Sequence, residues 1–170
     1  MTKKILIALI VVLIGIQFIR PEKNLSDDNT YGLATVHKVP VKVDHLLKVA
    51  CNDCHSNKTE YPWYAEVQPV AWWLADHVED GKRHLNFSTF TKLPIAIQNH
   101  KFEEVVEMVE EREMPLDSYT YLGLHPGADL SDDERRMLIQ WANAQMDLLK
   151  STYPADSLVL KRRRPPSTTK

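Results

Sequence analysis

The chain has 170 residues, close to the roughly 150 of a typical domain, which excludes a large multidomain enzyme. Only 5 residues are glycine, below the usual ~7%, and this favours a helical fold over a turn-rich β sandwich. The formal net charge of −2 conceals a segregation, because residues 21–150 contain 13 basic and 22 acidic residues while both ends are basic. An acidic surface repels phosphate, so no nucleic acid is expected as a partner.

Residues 1–20 are typical of an export signal. Lys3 and Lys4 precede an apolar run from Ile5 to Ile19, as in a secretory signal. Residues 17–23 lack the pair of small residues that a cleavage site requires, which favours an uncleaved signal anchor over a cleaved signal peptide. The run covers only about 22 Å of a hydrocarbon core about 30 Å thick, so basic side chains at its ends must reach the interface.

The remainder divides into three parts. Residues 21–40 are irregular and are predicted to be a linker, and residues 151–170 are predicted to be a disordered basic tail. Residues 41–150 form the predicted domain. Because no stretch within it alternates long enough to predict a strand, its fold class is all-α.

The first two predicted helices flank a pair of cysteines. The earlier helix runs from Val41 to Ala50 and places positions 43, 46, 47 and 50 on one apolar face. The later helix opens after Pro69, since proline is tolerated in a first helical turn, and should end before Gly81. Its stripe facing the core is predicted to consist of Val70, Trp73, Leu74, His77 and Val78.

Two further helices are predicted in the second half of the domain. One covers His100 to Glu113 and stops before Pro115, with an apolar face of Phe102, Val105, Val106 and Val109. The other follows a capping box formed by Ser131 and Glu134. Its apolar stripe contains Met137, Leu138, Trp141, Gln145, Leu148 and Leu149.

The segment Cys51-Asn52-Asp53-Cys54-His55 is a CxxCH motif, which is typical of c-type haem attachment. Two thiols three positions apart can each add to a haem vinyl group and form thioethers. The adjacent imidazole of His55 is then held against the iron as the proximal ligand. The motif therefore predicts one covalently attached haem c, and such attachment takes place outside the bacterial cytoplasm, in agreement with the export signal.

Three other uses of two cysteines fit less well. A thioredoxin-like redox pair requires a βαβ pattern, and no such pattern surrounds the motif. A structural zinc site requires two more ligands at recognisable spacing, and the chain has no second cysteine pair. A disulfide across two intervening residues would remove little conformational entropy from the unfolded chain.

The sixth iron ligand has several candidates. These are Met114 and the histidines at positions 37, 45, 77, 84, 100 and 125. Met114 is favoured because Met114-Pro115 lies where a helix should give way to an extended loop, and because thioether ligation raises the reduction potential in a way that suits electron transfer. His77, one turn after Trp73, is the alternative, although a methionine or histidine on an apolar face is more often part of the core.

With these residues in place, the chain resembles the bacterial haem-binding domain family, a group of small exported proteins with one CxxCH. The resemblance covers roughly residues 40–145. It rests on Cys51 to Asn57, Tyr61 to Tyr64, Pro69 to Trp73, His77 to Gly81, Leu85 to Ser88, Met114-Pro115, Tyr119, Leu124 to Pro126, and Leu130 to Trp141. It implies a cytochrome-c-like helical fold around one haem, with Cys51 and Cys54 attached to the haem, His55 as proximal ligand and Met114 as distal ligand. It implies no particular reaction.

Together these observations predict a membrane-tethered monohaem protein on the periplasmic side of the bacterial inner membrane. An electron carrier is favoured over an enzyme, and its acidic domain would steer a basic redox partner. Two alternatives remain open. One is a haem peroxidase or a gas or redox sensor with an open or weakly held sixth site, where His77 would act as acid and base. The other is a binding module that haem chiefly stabilises.

Overall fold

A computed structural model describes residues 2–160. Within this part the chain forms helices and no strand, apart from one isolated antiparallel bridge between Leu25 and Lys58. The predicted all-α class is therefore confirmed. The α-helices are α1 (Thr2–Ile16), α2 (Val41–Ala50), α3 (Asn52–His55), α4 (Val70–His84), α5 (Ile95–Glu110), α6 (Asp117–Thr120) and α7 (Asp132–Thr152).

The core lies between α2, α5 and α7. Helices α5 and α7 form the most extensive helix pair, α2 packs against both α3 and α7, and α3 packs against α4. Phe90, Phe102, Leu138 and Val43 are fully buried at its centre. Burying a side chain of this size contributes roughly 1.5–3 kcal/mol, so the α5–α7 layer holds the fold together.

Helix α1 stands outside this core. Its 15 residues are almost all apolar, and none of them is buried. Of the helices in residues 2–160, none combines the length and the apolar character needed to cross a membrane.

Two predicted helix faces are confirmed. In α2 the buried residues occupy positions 43, 46, 47 and 50, as the periodicity predicts. The predicted capping box is present, since the Ser131 hydroxyl accepts from the backbone N–H of Glu134 and the Glu134 carboxylate accepts from the backbone N–H of Ser131. Of the predicted α7 stripe, only Leu148 is exposed, because it lies at the margin of the buried face.

The prediction for α4 was wrong in its end and only partly right in its face. The helix continues through Gly81 to His84, and its buried residues are Ala71 and Val78, while Trp73 is exposed. Gly81 does not stop the helix because it faces the cysteine motif, where the absent side chain permits close packing. The predicted stripe contained the buried Val78, whereas the burial of Ala71 and the close contact at Gly81 depend on small size, which hydrophobicity does not indicate.

Helix α5 begins earlier and ends earlier than predicted. It starts after Pro94 and stops at Glu110, and Arg112 then adopts a left-handed conformation with φ of 62°. Glu110, Glu111 and Glu113 oppose the helix dipole at this end. The Arg135 guanidinium of α7 offsets them, because it donates to the carbonyl of Val109 in the last turn of α5.

The predicted linker is packed against the domain along much of its length. Asn24 donates to the Ser56 carbonyl and the Thr59 hydroxyl, both at 2.9 Å, and accepts from the Lys82 ammonium at 2.6 Å. Leu33 is buried, and its backbone N–H donates to the Phe87 carbonyl at 2.7 Å. Residues 21–40 thus cover one side of the cysteine motif while they connect α1 to α2.

The first residues of the C-terminal segment are part of the folded domain. Residues 151 and 152 still belong to α7, and Leu158 packs against the core after a short 3-10 turn at Ala155–Ser157. The predicted disordered basic tail lies, from residue 161 onward, outside the described residues.

Candidate functional site

The cysteine motif occupies the junction between α2 and α3. Cys51 ends α2 and caps α3, and the backbone N–H groups of Cys54 and His55 donate to its carbonyl at 3.2 and 2.9 Å. This single turn brings positions three and four apart onto one side of the helix. Cys51, Cys54 and His55 therefore share a short, rigid segment, as covalent attachment and ligation of one group require.

Gly81 of α4 allows this segment to pack closely. A Cβ atom at position 81 would lie 2.6 Å from the carbonyl oxygen of Cys54 and 2.9 Å from its Cβ atom. These distances are shorter than van der Waals contact, so any larger residue would push α3 and α4 apart. Glycine at this position therefore sets the distance between α4 and the motif.

The same helix end orients the imidazole of His55. Its Nδ1 lies 2.9 Å from the Gly81 carbonyl and 3.0 Å from the Leu85 carbonyl. Both partners only accept, so Nδ1 carries the proton and Nε2 keeps a free lone pair. Burial lowers the pKa of His55, which keeps the ring neutral. Metal-ligating histidines are commonly held in this way, with one ring nitrogen bonded to backbone carbonyls and the other left for the metal.

Both thiols are free and carry their protons. Burial raises the pKa of Cys51 to about 12 and that of Cys54 to about 11, with the Asp53 carboxylate adding to the effect on Cys54. Reactive redox cysteines have lowered pKa values, so the microenvironment does not favour that use. Nor do the described residues contain a cluster of three or more His, Cys, Asp or Glu side chains that could hold a metal ion.

Asp53, inside the motif, is tied to a distant segment of the chain. The Tyr119 hydroxyl, from α6, donates to Asp53 Oδ2 at 2.6 Å. The Tyr119 ring stacks on His125 with centroids 3.9 Å apart, and His125 Nε2 lies 2.6 Å from the Tyr64 hydroxyl. Burial and the Asp53 carboxylate raise the pKa of both tyrosines, and burial lowers the pKa of His125.

Sequence reasoning missed this Asp53–Tyr119–His125–Tyr64 cluster. Its members are up to 72 residues apart in the chain, between Asp53 and His125, and no local spacing relates them. A cavity of about 260 Å³ opens beside it, lined in part by Lys48, Tyr119 and His125. Two signals were available: Asp53 is one of two polar residues between the cysteines, and Tyr64, Tyr119 and His125 lie in segments that carry the family resemblance.

Met114 lies in the turn after α5 and is half-buried. Its backbone N–H donates to the Met108 carbonyl at 3.0 Å, and its carbonyl accepts from Arg135 Nη1 at 2.8 Å. The Nε atom of Arg135 is buried and has no partner. Since Tyr119 binds Asp53 only five residues later, the chain that follows Met114 returns to the cysteine motif.

The histidines considered as sixth ligands have other contacts. His37 is buried between Gln98 and Gln145, with ring nitrogens 2.9 and 3.3 Å from their side-chain oxygens. His77 bonds to the Trp73 carbonyl of its own helix through Nδ1. His100 pairs with two glutamates of α5, and His45 and His84 are exposed.

The donor set fits a covalently held haem. Two protonated thiols and a neutral imidazole with a free Nε2 share one turn, and the side chain of Arg135 leaves a buried N–H donor unpaired near Met114. Comparison with known proteins supports haem binding, because the family model described as a haem-binding domain matches residues 11–144. No curated protein and no solved structure matches the chain.

Proposed function

The chain belongs to the haem-binding domain family, and we propose that it carries one covalently attached haem c and transfers electrons singly. Cys51 and Cys54 would form the thioethers, and His55 would be the proximal ligand through Nε2. The observation that carries the proposal is the His55 ring, whose Nδ1 is occupied by the carbonyls of Gly81 and Leu85. When bound, the haem would supply one-electron redox chemistry.

Met114 is the proposed distal ligand. Two interactions support it: Arg135 holds the Met114 carbonyl, and Tyr119 holds the following segment against Asp53 within the motif. Both interactions fix the backbone on either side of Met114 and so limit the positions that its side chain can occupy. If Met114 and His55 both bound the haem iron, the thioether would raise the reduction potential and no coordination site would be left for a substrate, which favours an electron carrier over an enzyme.

We extend the proposal to a cytochrome-c-like arrangement of the helices. It is supported by the all-helical domain and by the position of the motif at the junction of α2 and α3. The acidic residues of the domain would steer a basic redox partner toward it.

Tethering at the periplasmic side of the inner membrane is part of the same proposal. The exposed, apolar α1 and the basic residues of its first turn support insertion, with Lys3 and Lys4 at the cytoplasmic end. Because α1 is shorter than a membrane-crossing helix, local thinning of the bilayer and the basic residues at both ends would have to make up the length. Arg20 and Lys23 would lie at the opposite interface, where long basic side chains can reach the headgroups. Haem attachment outside the cytoplasm requires export in any case.

Haem staining after denaturing electrophoresis tests the attachment. The full chain is expressed in an export-competent host with haem-attachment machinery, beside the double variant Cys51→Ser and Cys54→Ser. We expect the wild-type band to keep its colour after denaturation and the double variant to lose it. A colourless wild-type band would contradict covalent attachment.

The absorption spectrum tests the ligand set. We expect a ferric charge-transfer band in the far red that disappears in Met114→Ala. Met146→Ala is the matched control, because Met146 lies in the α7 core and should leave the band in place. A high-spin ferric spectrum in the wild type, with ready uptake of carbon monoxide on reduction, would favour the peroxidase or sensor instead.

A further inference from the structure

Five apolar side chains near the end of α1 are exposed and form a surface that we call the foot. Phe18 and Trp63 are the most exposed, at 84% and 77%, and Ile19, Val67 and Trp72 complete it. Scattered exposed apolar residues need no explanation, but these five come from two chain segments, 18–19 and 63–72, that are joined to each other. Their proximity therefore calls for a common reason.

Hydrogen bonds join the two segments of the foot. The Gln17 side chain accepts from the backbone N–H of Gln68 at 3.0 Å and donates to the Gln68 carbonyl at 3.3 Å. The Gln68 side chain donates in turn to the Ile19 carbonyl at 2.6 Å, and Gln68 is only 3% exposed. The end of α1 is thus held against the 66–68 loop.

Two basic residues reinforce the same junction. Arg20 and Lys23 both bind Glu66, and the Lys23 ammonium lowers the pKa of that carboxyl. These ion pairs are exposed and contribute little stability on their own. Their position beside exposed tryptophan gives the foot the composition of a membrane interface, where aromatic rings and long basic side chains collect.

Within the foot, Trp72 is turned away from the cysteine motif, whereas Trp63 packs edge-on against Tyr64 of the Asp53–Tyr119–His125–Tyr64 cluster, with ring centroids 5.8 Å apart. Trp72 precedes Gly81 by nine residues in α4, which places the two on opposite sides of the helix at about 100° per residue. Because Gly81 contacts Cys54, the side of α4 that bears Trp72 is turned away from the motif.

We propose that the foot is a docking surface for the lipid bilayer, which fixes the orientation of the domain above the membrane. This rests on the proposed tether. The occupant is argued from α1, whose side chains are exposed around its whole circumference and which leads directly into the foot. A second copy of the chain would cover one side of such a helix, whereas lipid covers all sides and reaches Phe18 and Ile19 at its end.

This orientation has a consequence for electron transfer. With Trp72 toward the bilayer, the Gly81 side of α4 and the motif that it contacts lie on the aqueous side. A redox partner could then reach this side of the domain without contacting the lipid. Docking of the foot would thus fix which side of the domain faces an approaching redox partner.

Site-specific fluorescence quenching tests the proposal on the full-length holoprotein in phosphatidylethanolamine and phosphatidylglycerol vesicles. A bimane label is attached in Trp63→Cys and Trp72→Cys, and in Val41→Cys and Leu148→Cys as exposed controls outside the foot. Wild-type protein treated with the reagent controls for labelling of Cys51 and Cys54. We expect nitroxide-bearing lipid to quench the labels at 63 and 72 several-fold more than those at 41 and 148, and aqueous iodide to show the reverse order.

A label at Val11→Cys, in the middle of α1, separates failure of the foot from failure of the tether. Lipid quenching at 11 together with iodide quenching at 63 and 72 would overturn the foot alone. Iodide quenching at 11, 63 and 72 would overturn the tether as well. Resistance of positions 63 and 72 to both quenchers would mean that a second copy covers the foot, which would also overturn its assignment to lipid.

Discussion

Around Cys54 and His55 the contacts come from the backbone and from the absence of a side chain at Gly81, whereas around Met114 they come from side chains that reach across the fold. The carbonyls of Gly81 and Leu85 hold His55, and Gly81 sets the approach of α4. The segment 114–128, in contrast, is held by Arg135 and Tyr119. The side proposed as proximal, around His55, therefore depends on steric fit, and the side proposed as distal, around Met114, depends on individual hydrogen bonds.

This comparison predicts that the two regions respond differently to mutation. Overpacking a close backbone contact shifts whole helices, so the proximal side should respond most to added volume. Loss of one side-chain hydrogen bond frees a segment without moving the core. Substitutions on the distal side should therefore change the absorption spectrum of the holoprotein before they unfold the domain.

The largest effect is expected from Gly81→Ala. The new methyl group would lie 2.6 Å from the Cys54 carbonyl oxygen, so α3 and α4 must separate. We expect a loss of about 1–3 kcal/mol in the free energy of unfolding in urea and a lower yield of attached haem. Gly127→Ala is the control, since its methyl group would meet Val49 at an ordinary 3.5 Å. Equal stability of the two variants would contradict a sterically defined proximal side.

Tyr119→Phe should have the next largest effect, on the distal side. It removes the hydrogen bond to the Asp53 carboxylate, and hydrogen bonds to charged groups contribute about 1.5–3 kcal/mol. We expect destabilisation near the lower figure, because the pair is partly exposed, together with weakening of the far-red ferric band. Tyr121→Phe, at an exposed tyrosine, should change neither. An unchanged band in Tyr119→Phe would break the link between this bond and Met114.

Arg135→Lys tests the second distal contact. Both bonds to the Val109 and Met114 carbonyls come from Nη1, and a lysine ammonium would stand one bond short of that position, so at least one of them should be lost. We expect a loss of about 1 kcal/mol, measured by urea unfolding, with a shift of the reduction potential. Arg136→Lys, on an exposed ion pair, is the matched control. A potential that stays at the wild-type value would separate Arg135 from the distal ligand.

The smallest effect is expected at the capping box, which lies outside both regions. Ser131→Ala removes the side-chain partner of the Glu134 backbone and should cost about 1 kcal/mol or less. Hydrogen bonds from Ser131 lower the pKa of Glu134 in the folded protein, so this stabilisation is present above its ordinary value of 4.5 and is lost as pH falls. The difference between wild type and variant, followed by urea unfolding against pH, should therefore shrink below pH 4.5. Ser151→Ala, at the exposed end of α7, should show no such pH dependence.

Local signals in the sequence were read correctly where the structure depends on nearby residues. The apolar face of α2, the Ser131 capping box and the helical class each depend on spacings of three or four residues. The CxxCH motif and the family resemblance predicted haem binding, because the residues of the motif lie within five consecutive positions of the chain. The roles of His55 and Met114 as iron ligands stay predictions.

Features that depend on distant neighbours were decided only by the tertiary structure. The close approach of α4 to Cys54 follows from the absent side chain at Gly81, and no hydrophobic pattern identifies such a contact. The packed linker, the Asp53–Tyr119 bond and the junction of α1 with the 66–68 loop join residues 32 to 66 positions apart. Sequence spacing determines which groups share one helical turn. Which turns meet in space depends on how the whole chain minimises its exposed apolar surface and pairs its buried polar groups.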